Sequence, residues 1–539
     1  MFNESSADAD SHFNITLTYF IIFVGLIKKR QFRFAKLINS QNLKIKRMSV
    51  VARQGFKYSV IGYLGFLLGT FSAIFVFPHD MEFYGKLRYV LPTAEMLLPV
   101  VVFGLSFSNV KFFTKTYDDG KHQNFLSLSL LGILLNFSIF VLGYFVANFL
   151  FPGLQNTEMW QMKRLILPLI LVLAFSAVFN KYLSNFKRIV IPNIFENLLP
   201  KIANLGAFCL FFFIGLPEKA AYLFFIGMFI VGLIGYIYYA NRLEKLKPDF
   251  STDYIKKDNL WKDVLNYSFY GFLGNIGNFI AVRIDSVMIG EFLGFEPNGV
   301  YNTLYSIISL ITVPAMGLYS ISAPIINRHL ANEEFEELDR LHKKSSLVLF
   351  FLGFVLLSCV LVGFPYLTHF IKNGELLRQS EPVIWVLGFA MLFDLATGFN
   401  GHIISLSKYY RFNIVVMLFL ALTTVSLNIY FLKNTNLELF GIAIATSISL
   451  TLFNIAKIVF NYVKFGVFPL TIEMIYALII GTLGITMAIL LPDFESSLLN
   501  LFYKPAFVVL LFLVGNYFLR IFPLEEYINR KFIAGLFKF

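Results

Sequence analysis

Residues 265–327, LNYSFYGFLGNIGNFIAVRIDSVMIGEFLGFEPNGVYNTLYSIISLITVPAMGLYSISAPIIN, decide how the rest of the chain is read. Two apolar runs, each long enough to cross a bilayer, flank a short Gly/Pro turn at 294–299. The first run carries Arg283 and Asp285 well inside it. A charge near the middle of a spanning helix costs about 3 kcal/mol on insertion scales, so such side chains face a protein interior or a watery cavity. Residues two apart on a regular helix point to nearly opposite faces, which gives Arg283 and Asp285 separate partners. Arg283 is the expected anion contact, because the fixed guanidinium fork suits phosphate oxygens better than an ammonium does.

Composition agrees with a bilayer setting. Of 539 residues, 57% are apolar and only 14% charged, whereas a soluble domain carries about 25% charged side chains. The chain reads as an all-α polytopic membrane protein. The net charge of +12 resembles a nucleic-acid signal, but the basic residues sit in short loops, where orientation in a membrane requires them. No nucleic-acid partner is expected. Both cysteines, Cys209 and Cys359, lie in apolar spans and imply neither a disulfide framework nor a metal site. No phosphate-binding loop, zinc helix or nucleophile elbow stands out, so no cofactor or catalytic group is expected and transport is favoured over chemistry.

Apolar spans are expected near 58–77, 89–110, 125–151, 165–186, 191–215 and 219–240, then 265–292, 299–326, 346–371, 382–406, 412–432 and 438–463. Two more close the chain near 470–491 and 503–522, giving about 14. The halves match in order. YSVIGYLG at 58–65 parallels YSFYGFLG at 267–274, and LPVVVFGLSFSN at 98–109 parallels VPAMGLYSISAP at 313–324. LLG at 130–132 then pairs with FLG at 351–353, and Phe179-Asn180 with Phe399-Asn400. Six spans per half make both halves enter from the same side, as two pseudo-symmetric lobes with a substrate site between them. The expected division is a poorly defined extension over 1–47, an N-lobe with its linker over 48–263, a C-lobe over 264–468, and two added helices with a tail over 469–539. The apolar stretch from Phe13 to Ile27 falls short of a full span and reads as a frayed or interfacial segment. Lys and Arg fall far more heavily on the side holding the 241–263 linker, the 327–345 loop and both termini, which places both termini in the cytoplasm.

Pro99 and Pro314 fall inside the second span of each half, where proline kinks the hydrogen-bond ladder, and Gly274 sits in a glycine series spaced by three. All three are candidate hinge positions. Further charges inside spans are Glu95, Glu196, Lys201, Asp394 and Lys457, with Lys57 near the mouth of the first span. Glu95 and Asp394 are the kind of intramembrane acid that a proton- or cation-coupled site uses. Lys57 and Lys457 are expected to snorkel to the headgroups. Glu196 and Lys201 are expected to pair across little more than one turn, and His402 to be a satisfied buried histidine.

The segment RIDSVMIGEFLGFEPNGVYNTLYSIISLITVP (283–314) resembles the start of the second half of Wzx-like polysaccharide flippases, in the multidrug/oligosaccharidyl-lipid/polysaccharide exporter superfamily. ARQGFKYSVIGYLGFLLGTFSAIFVFP (52–78), with FYGKLRYV (83–90), is similar to the start of the first half. The resemblance covers roughly 48–464 in pattern. It implies lobes that alternate between inward- and outward-open states and a substrate of polyprenyl-pyrophosphate-linked oligosaccharide moved across the bacterial inner membrane. It also implies a cationic cavity, which fits Arg283, Lys57 and Lys201. Coupling to H+ or Na+ would draw on acids such as Asp285, Glu95 and Asp394, and the other implied partners are membrane lipid and polysaccharide-assembly membrane proteins. Two other readings remain open, a multidrug or cation antiporter of the same superfamily and an integral-membrane glycan polymerase or ligase.

Overall fold

The computed structural model describes residues 50–188 and 190–522, so the 1–47 extension expected above lies outside the described residues. Seven helices or bent helix pairs make the first part: α1 (Val50–Phe75), α2 (Met81–Val102), α3 (Leu105–Lys111), α4 (His122–Leu150), α5 (Lys163–Asn185), α6 (Val190–Phe212) and α7 (Glu218–Leu243). The second part holds α8 (Leu260–Phe292), α9 (Phe295–Ile308), α10 (Val313–Ala331), α11 (Phe335–Leu367), α12 (Glu381–Ala396), α13 (Asn400–Leu406), α14 (Tyr410–Asn434) and α15 (Glu438–Phe465). Helices α16 (Ile472–Leu490) and α17 (Ser497–Leu519) complete the set. Among the described residues, 12 helices are long and apolar enough to span a bilayer, and two bent pairs bring the total to 14. Side chains such as Phe149 (81% exposed) and Leu490 (79%) leave large apolar surfaces uncovered, which a lipid solvent satisfies.

Each lobe has its own core. Phe83, Ile166, Ile170, Val178, Tyr182, Phe208 and Phe225 fill the N-lobe. Leu304, Ile308, Phe354, Leu357, Ile384, Leu395 and Ile442 fill the C-lobe, and α17 joins that core through Phe512, whose ring lies 5.6 Å from Phe354. The two added helices therefore belong to the C-lobe side, packed on α11.

The bent pairs are the second span of the N-lobe and the fourth of the C-lobe. α2 and α3 meet at 58°, where Phe103 and Gly104 adopt left-handed backbone with φ of 44° and 72°. α12 and α13 meet at 49° beside Gly398, with φ of 54°. Pro99 lies one turn before the first break, and Phe103 N–H still closes on its carbonyl. Pro314 begins α10, directly after a 3-10 turn at Ser309–Thr312. Gly274 lies in the unbroken α8, against the side chain of Ile414.

The spans begin earlier than hydropathy suggests wherever polar groups are satisfied by protein rather than water. α2 starts at Met81, capped by Asp80, whose carboxylate accepts from Phe83 N–H at 2.8 Å. Its first turns carry Glu82, Lys86 and Arg88. Lys86 pairs with Glu82 at 2.9 Å and with Glu218 of α7 at 3.0 Å.

The lobes join mainly through α2 and α3 against α8 and α9. Asn298 Nδ2 donates to the Gly85 carbonyl at 2.9 Å, and a Cβ on Gly85 would sit only 1.7 Å from the Phe295 carbonyl oxygen. At the linker end, Ser108 and Ser268 hydroxyls lie 2.8 Å apart, and a Cβ on Gly104 would come within 2.0 Å of the Ser268 carbonyl oxygen. Backbone-to-backbone approach of this kind tolerates no side chain.

Gly85→Ala should therefore pry α2 from α9 and destabilise this seam, at the end away from the linker, by about 1–3 kcal/mol. A single cysteine at buried Thr303, in a Cys209→Ser/Cys359→Ser background, should be inert to an impermeant maleimide and become reactive when Gly85→Ala is added. Unchanged inertness would show that the seam does not depend on the missing side chain.

Candidate functional site

Helix α8 sends its charges in two directions, as the two-residue spacing predicts. Arg283 faces α2 of the N-lobe, where Nε lies 2.6 Å from Glu95 Oε2. The N–H is not aimed at that oxygen, and neither atom has an aligned hydrogen-bond partner, so the contact is Coulombic at ion-pair distance rather than a formed hydrogen bond. The side chains remain 31% and 19% exposed.

Two further cations join this pair. Arg88 of α2 donates from Nε to Asn302 Oδ1 at 2.8 Å, and Asn302 is held by Ser286 and Asn298. Lys201 of α6 lies within electrostatic reach of Arg88, Arg283 and Glu95. Its position follows from a wide π turn at Ile194–Leu198, and its stem lies against α1 at Gly69. Glu196 sits in that turn and accepts from Asn180 Nδ2 at 2.9 Å instead of pairing with Lys201, because the π turn resets the helical register between them. Arg88 and Lys201 of the N-lobe and Arg283 of α8 thus set three cations around one acid. Arg88 was not singled out from the sequence, since the hydropathic span began after it; its place in FYGKLRYV was the available signal. Lys57 lies in α1, but its side chain is outside the described residues.

Asp285 turns the other way, into the C-lobe. Its carboxylate accepts from Tyr301 Oη at 2.9 Å, Asn428 Nδ2 at 2.9 Å and Thr446 Oγ1 at 2.6 Å. These donors come from α9, α14 and α15, and all are neutral. Asp394 of α12 accepts from Asn454 Nδ2 at 2.9 Å and lies within electrostatic reach of Lys457. Lys457 does not snorkel. It is buried, with Nζ 3.8 Å from the Phe453 ring centroid, because α15 turns it into the lobe rather than towards lipid. His402 is half-buried with its ring 4.9 Å from that of Tyr319. Tyr305, 38% exposed, is within reach of Asp285, Asp394, Arg283 and Arg88 together, and so marks the space between the two faces.

The structure therefore brings Arg283, Lys201 and Glu95 into one group with Arg88, and sets Asp285 and Asp394 on the opposite face. Each acid except Asp285 has a fixed cation nearby: Arg283 for Glu95 and Lys457 for Asp394. Among the described residues, no three His, Cys, Asp or Glu side chains are grouped to hold a metal ion, and Cys209 and Cys359 are free thiols.

Comparison with known proteins supplies the lineage. A family model described as polysaccharide biosynthesis protein matches residues 51–329, and the MatE family model matches 272–430. Among curated proteins, none matches. Among solved structures, the lipid II flippase MurJ in an inward closed conformation is similar at a TM-score of 0.65 and 15% identity, over 86% of this chain and 98% of that one. An inward-facing multidrug resistance MATE family transporter of the MOP superfamily is similar at 0.57 and 14%, over 76% and 94%. A MOP superfamily transporter from Pyrococcus furiosus is similar at 0.52 and 15%, over 77% and 95%. At these identities the structural likeness speaks for the fold, which is that of the MOP flippases and transporters. With the first model spanning more than half of its length, this multi-pass membrane protein belongs to the polysaccharide biosynthesis protein family.

Proposed function

We propose that this chain flips a polyprenyl-pyrophosphate-linked oligosaccharide across the bacterial inner membrane by alternating access, driven by a cation gradient. The observation that carries the reading is the cluster of Arg88, Lys201 and Arg283 around a single acid, at the depth where a pyrophosphate would cross. Guanidinium forks grip phosphate oxygens, and a partly hydrated cleft lets them do so without burying an unpaired charge. Glu95 holds Arg283 while the site is empty and yields it to the phosphate on binding. Asp285 supports the coupling half of the proposal. A carboxylate whose partners are all neutral donors lacks a fixed counter-charge, so a mobile proton or metal cation completes it. The basic linker end faces the cytoplasm with both termini, following the distribution of Lys and Arg. Pro99 and Pro314, each next to a helix break, serve as the bending points, with Gly274 easing α8 past α14.

The second reading, a cation antiporter of the same fold, draws on Asp285 and Asp394 facing the cleft. It expects a cationic substrate to compete with the coupling ion. In vesicles of purified protein, a fluorescent cationic dye should be transported under that reading and a pyrophosphate-linked lipid disaccharide under ours.

Arg283→Ala should lower flipping of that lipid at least tenfold, with Arg283→Lys retaining part of it. Removing one partner of this half-exposed pair should cost about 1–3 kcal/mol, below the 3–5 of a fully buried pair. Adding Glu95→Ala should restore stability without restoring flipping. Full flipping by Arg283→Ala would remove it from the site. Asp285→Asn keeps the hydrogen-bonded packing and loses the charge. It should abolish stimulation by a proton or sodium gradient while leaving gradient-free exchange of lipid substrate measurable. Retained stimulation would move coupling elsewhere.

A further inference from the structure

Behind the cleft, the C-lobe holds a polar strip that the flipping scheme leaves unused. Asn454, Lys457 and Asn461 are spaced three and four apart on α15 and therefore share one face. Asn454 meets Asp394 at the cleft. One and two turns further towards the linker end, Lys457 lies beside Gly401 and His402, and Asn461 Nδ2 donates to Asn400 Oδ1 at 2.8 Å and to its carbonyl at 3.2 Å. His342 Nε2 of α11 lies 3.1 Å from the same Asn400 Oδ1. One turn from His342, Asp339 reaches the surface, where it pairs with Lys343 at 2.6 Å. The strip thus runs from a cleft-facing acid to a surface acid, with about 10 Å between Asn454 and Asn461 along the helix.

Its polar atoms are incompletely satisfied. Asn454 Oδ1, Asn461 Oδ1, Asn400 Nδ2, His342 Nδ1 and Ser346 Oγ all lack hydrogen-bond partners, and all five residues are fully buried. An orphaned buried polar group costs about 1–3 kcal/mol, so five in one strip would be a heavy loss unless water reaches them. Buried water characteristically bridges such groups. The break between α12 and α13 falls at the same place: Gly398 there has φ of 54° and its backbone packs directly on Ser346, so the orphaned hydroxyl lies beside a stretch where the helical ladder is interrupted.

We propose that these groups hold a file of water that carries protons between Asp394 and the linker end while the interlobe cleft is shut at that end. The proposal rests on the cation-coupled reading above and narrows its ion to the proton. Lys457 stands in the file as an ammonium that gives a proton to water on one side and regains one from the other, a relay open to protons and closed to metal cations. Asp394 is faced by Asn454 and Lys457 from α15, by Tyr319 from α10 and by Tyr305 from α9; His342 is faced by Asn400 from α13 and lies near Asp339 and Lys343 of its own helix.

Two serines of α11 provide a matched test, because Ser346 and Ser358 are both fully buried but only Ser358 is satisfied, by the Phe354 carbonyl at 2.7 Å. In a Cys209→Ser/Cys359→Ser background, Ser346→Cys should react with Ag+ at least 100-fold faster than Ser358→Cys in folded protein. Equal inertness would overturn the file. In vesicles, Asn461→Leu should slow flipping driven by an imposed pH gradient about tenfold and leave gradient-free exchange unchanged. An unaltered pH response in Asn461→Leu would overturn the proton supply. A wild type indifferent to pH with a reactive Cys variant would overturn proton supply and proton coupling while leaving the strip hydrated. An inert Ser346→Cys beside a pH-responsive wild type would overturn the file alone.

Discussion

A charge inside a bilayer must be given water or an opposite charge, and helix α8 meets that constraint in two directions at once. Arg283 reaches Glu95 across the lobe boundary, and Asp285 reaches three neutral donors within its own lobe. Had the two charges stood four residues apart, they would have neutralised each other on one face and asked nothing of the lobes. Standing two apart, they require a polar environment on both sides of one helix. The partly exposed group of Arg283, Glu95 and Tyr305 and the C-lobe site around Asp285 are what the fold supplies in answer.

That arrangement also explains why the lobes meet as they do. Close backbone contact at Gly85 and Gly104 ties α2 and α3 to α8 and α9 at the two ends, Gly104 at the linker end, and the charged group lies between these two seams. Helix α1 packs on the N-lobe, where a Cβ on Gly69 would lie 3.1 Å from Lys201 Cδ, but towards the C-lobe the position a Cβ would take on Gly62 lies 4.0 Å from Met316 of α10. A carrier of a lipid-linked headgroup needs one firm seam to move about and one loose seam beside the bilayer through which the lipid chain can trail.

Much of this was legible in the sequence because hydropathy and repetition are carried by many residues at once. Fourteen spans, the matching halves and the divergence of Arg283 from Asp285 follow from period and spacing alone. What escaped depended on single contacts between distant residues. Arg88 was not singled out because its partner, Asn302, lies in the other lobe. The pairing of Glu95 with Arg283 joins residues of different halves, which no local pattern encodes. Lys457 was expected at the headgroups, since a stem of four methylenes permits that; only the packing of α15 against α12 and α13 turns it inward. Glu196 and Lys201 were misjudged because a π turn is invisible in composition. The break after Pro99 falls at left-handed Phe103 and Gly104, the one before Pro314 is a 3-10 turn at Ser309–Thr312, and the third break, near Gly398, carried no proline at all.

The central claim is that water, not lipid or dry packing, fills the space between the two charged faces. A nitroxide attached at Tyr305→Cys in a cysteine-free background, with the protein in a bilayer, reports this directly through its relaxation by a water-soluble nickel chelate and by oxygen. The account predicts strong relaxation by the chelate and weak relaxation by oxygen, even though the residue lies at membrane depth. Strong relaxation by oxygen with none by the chelate would place the position in lipid, and weak relaxation by both would place it in a dry core; either result would contradict the account.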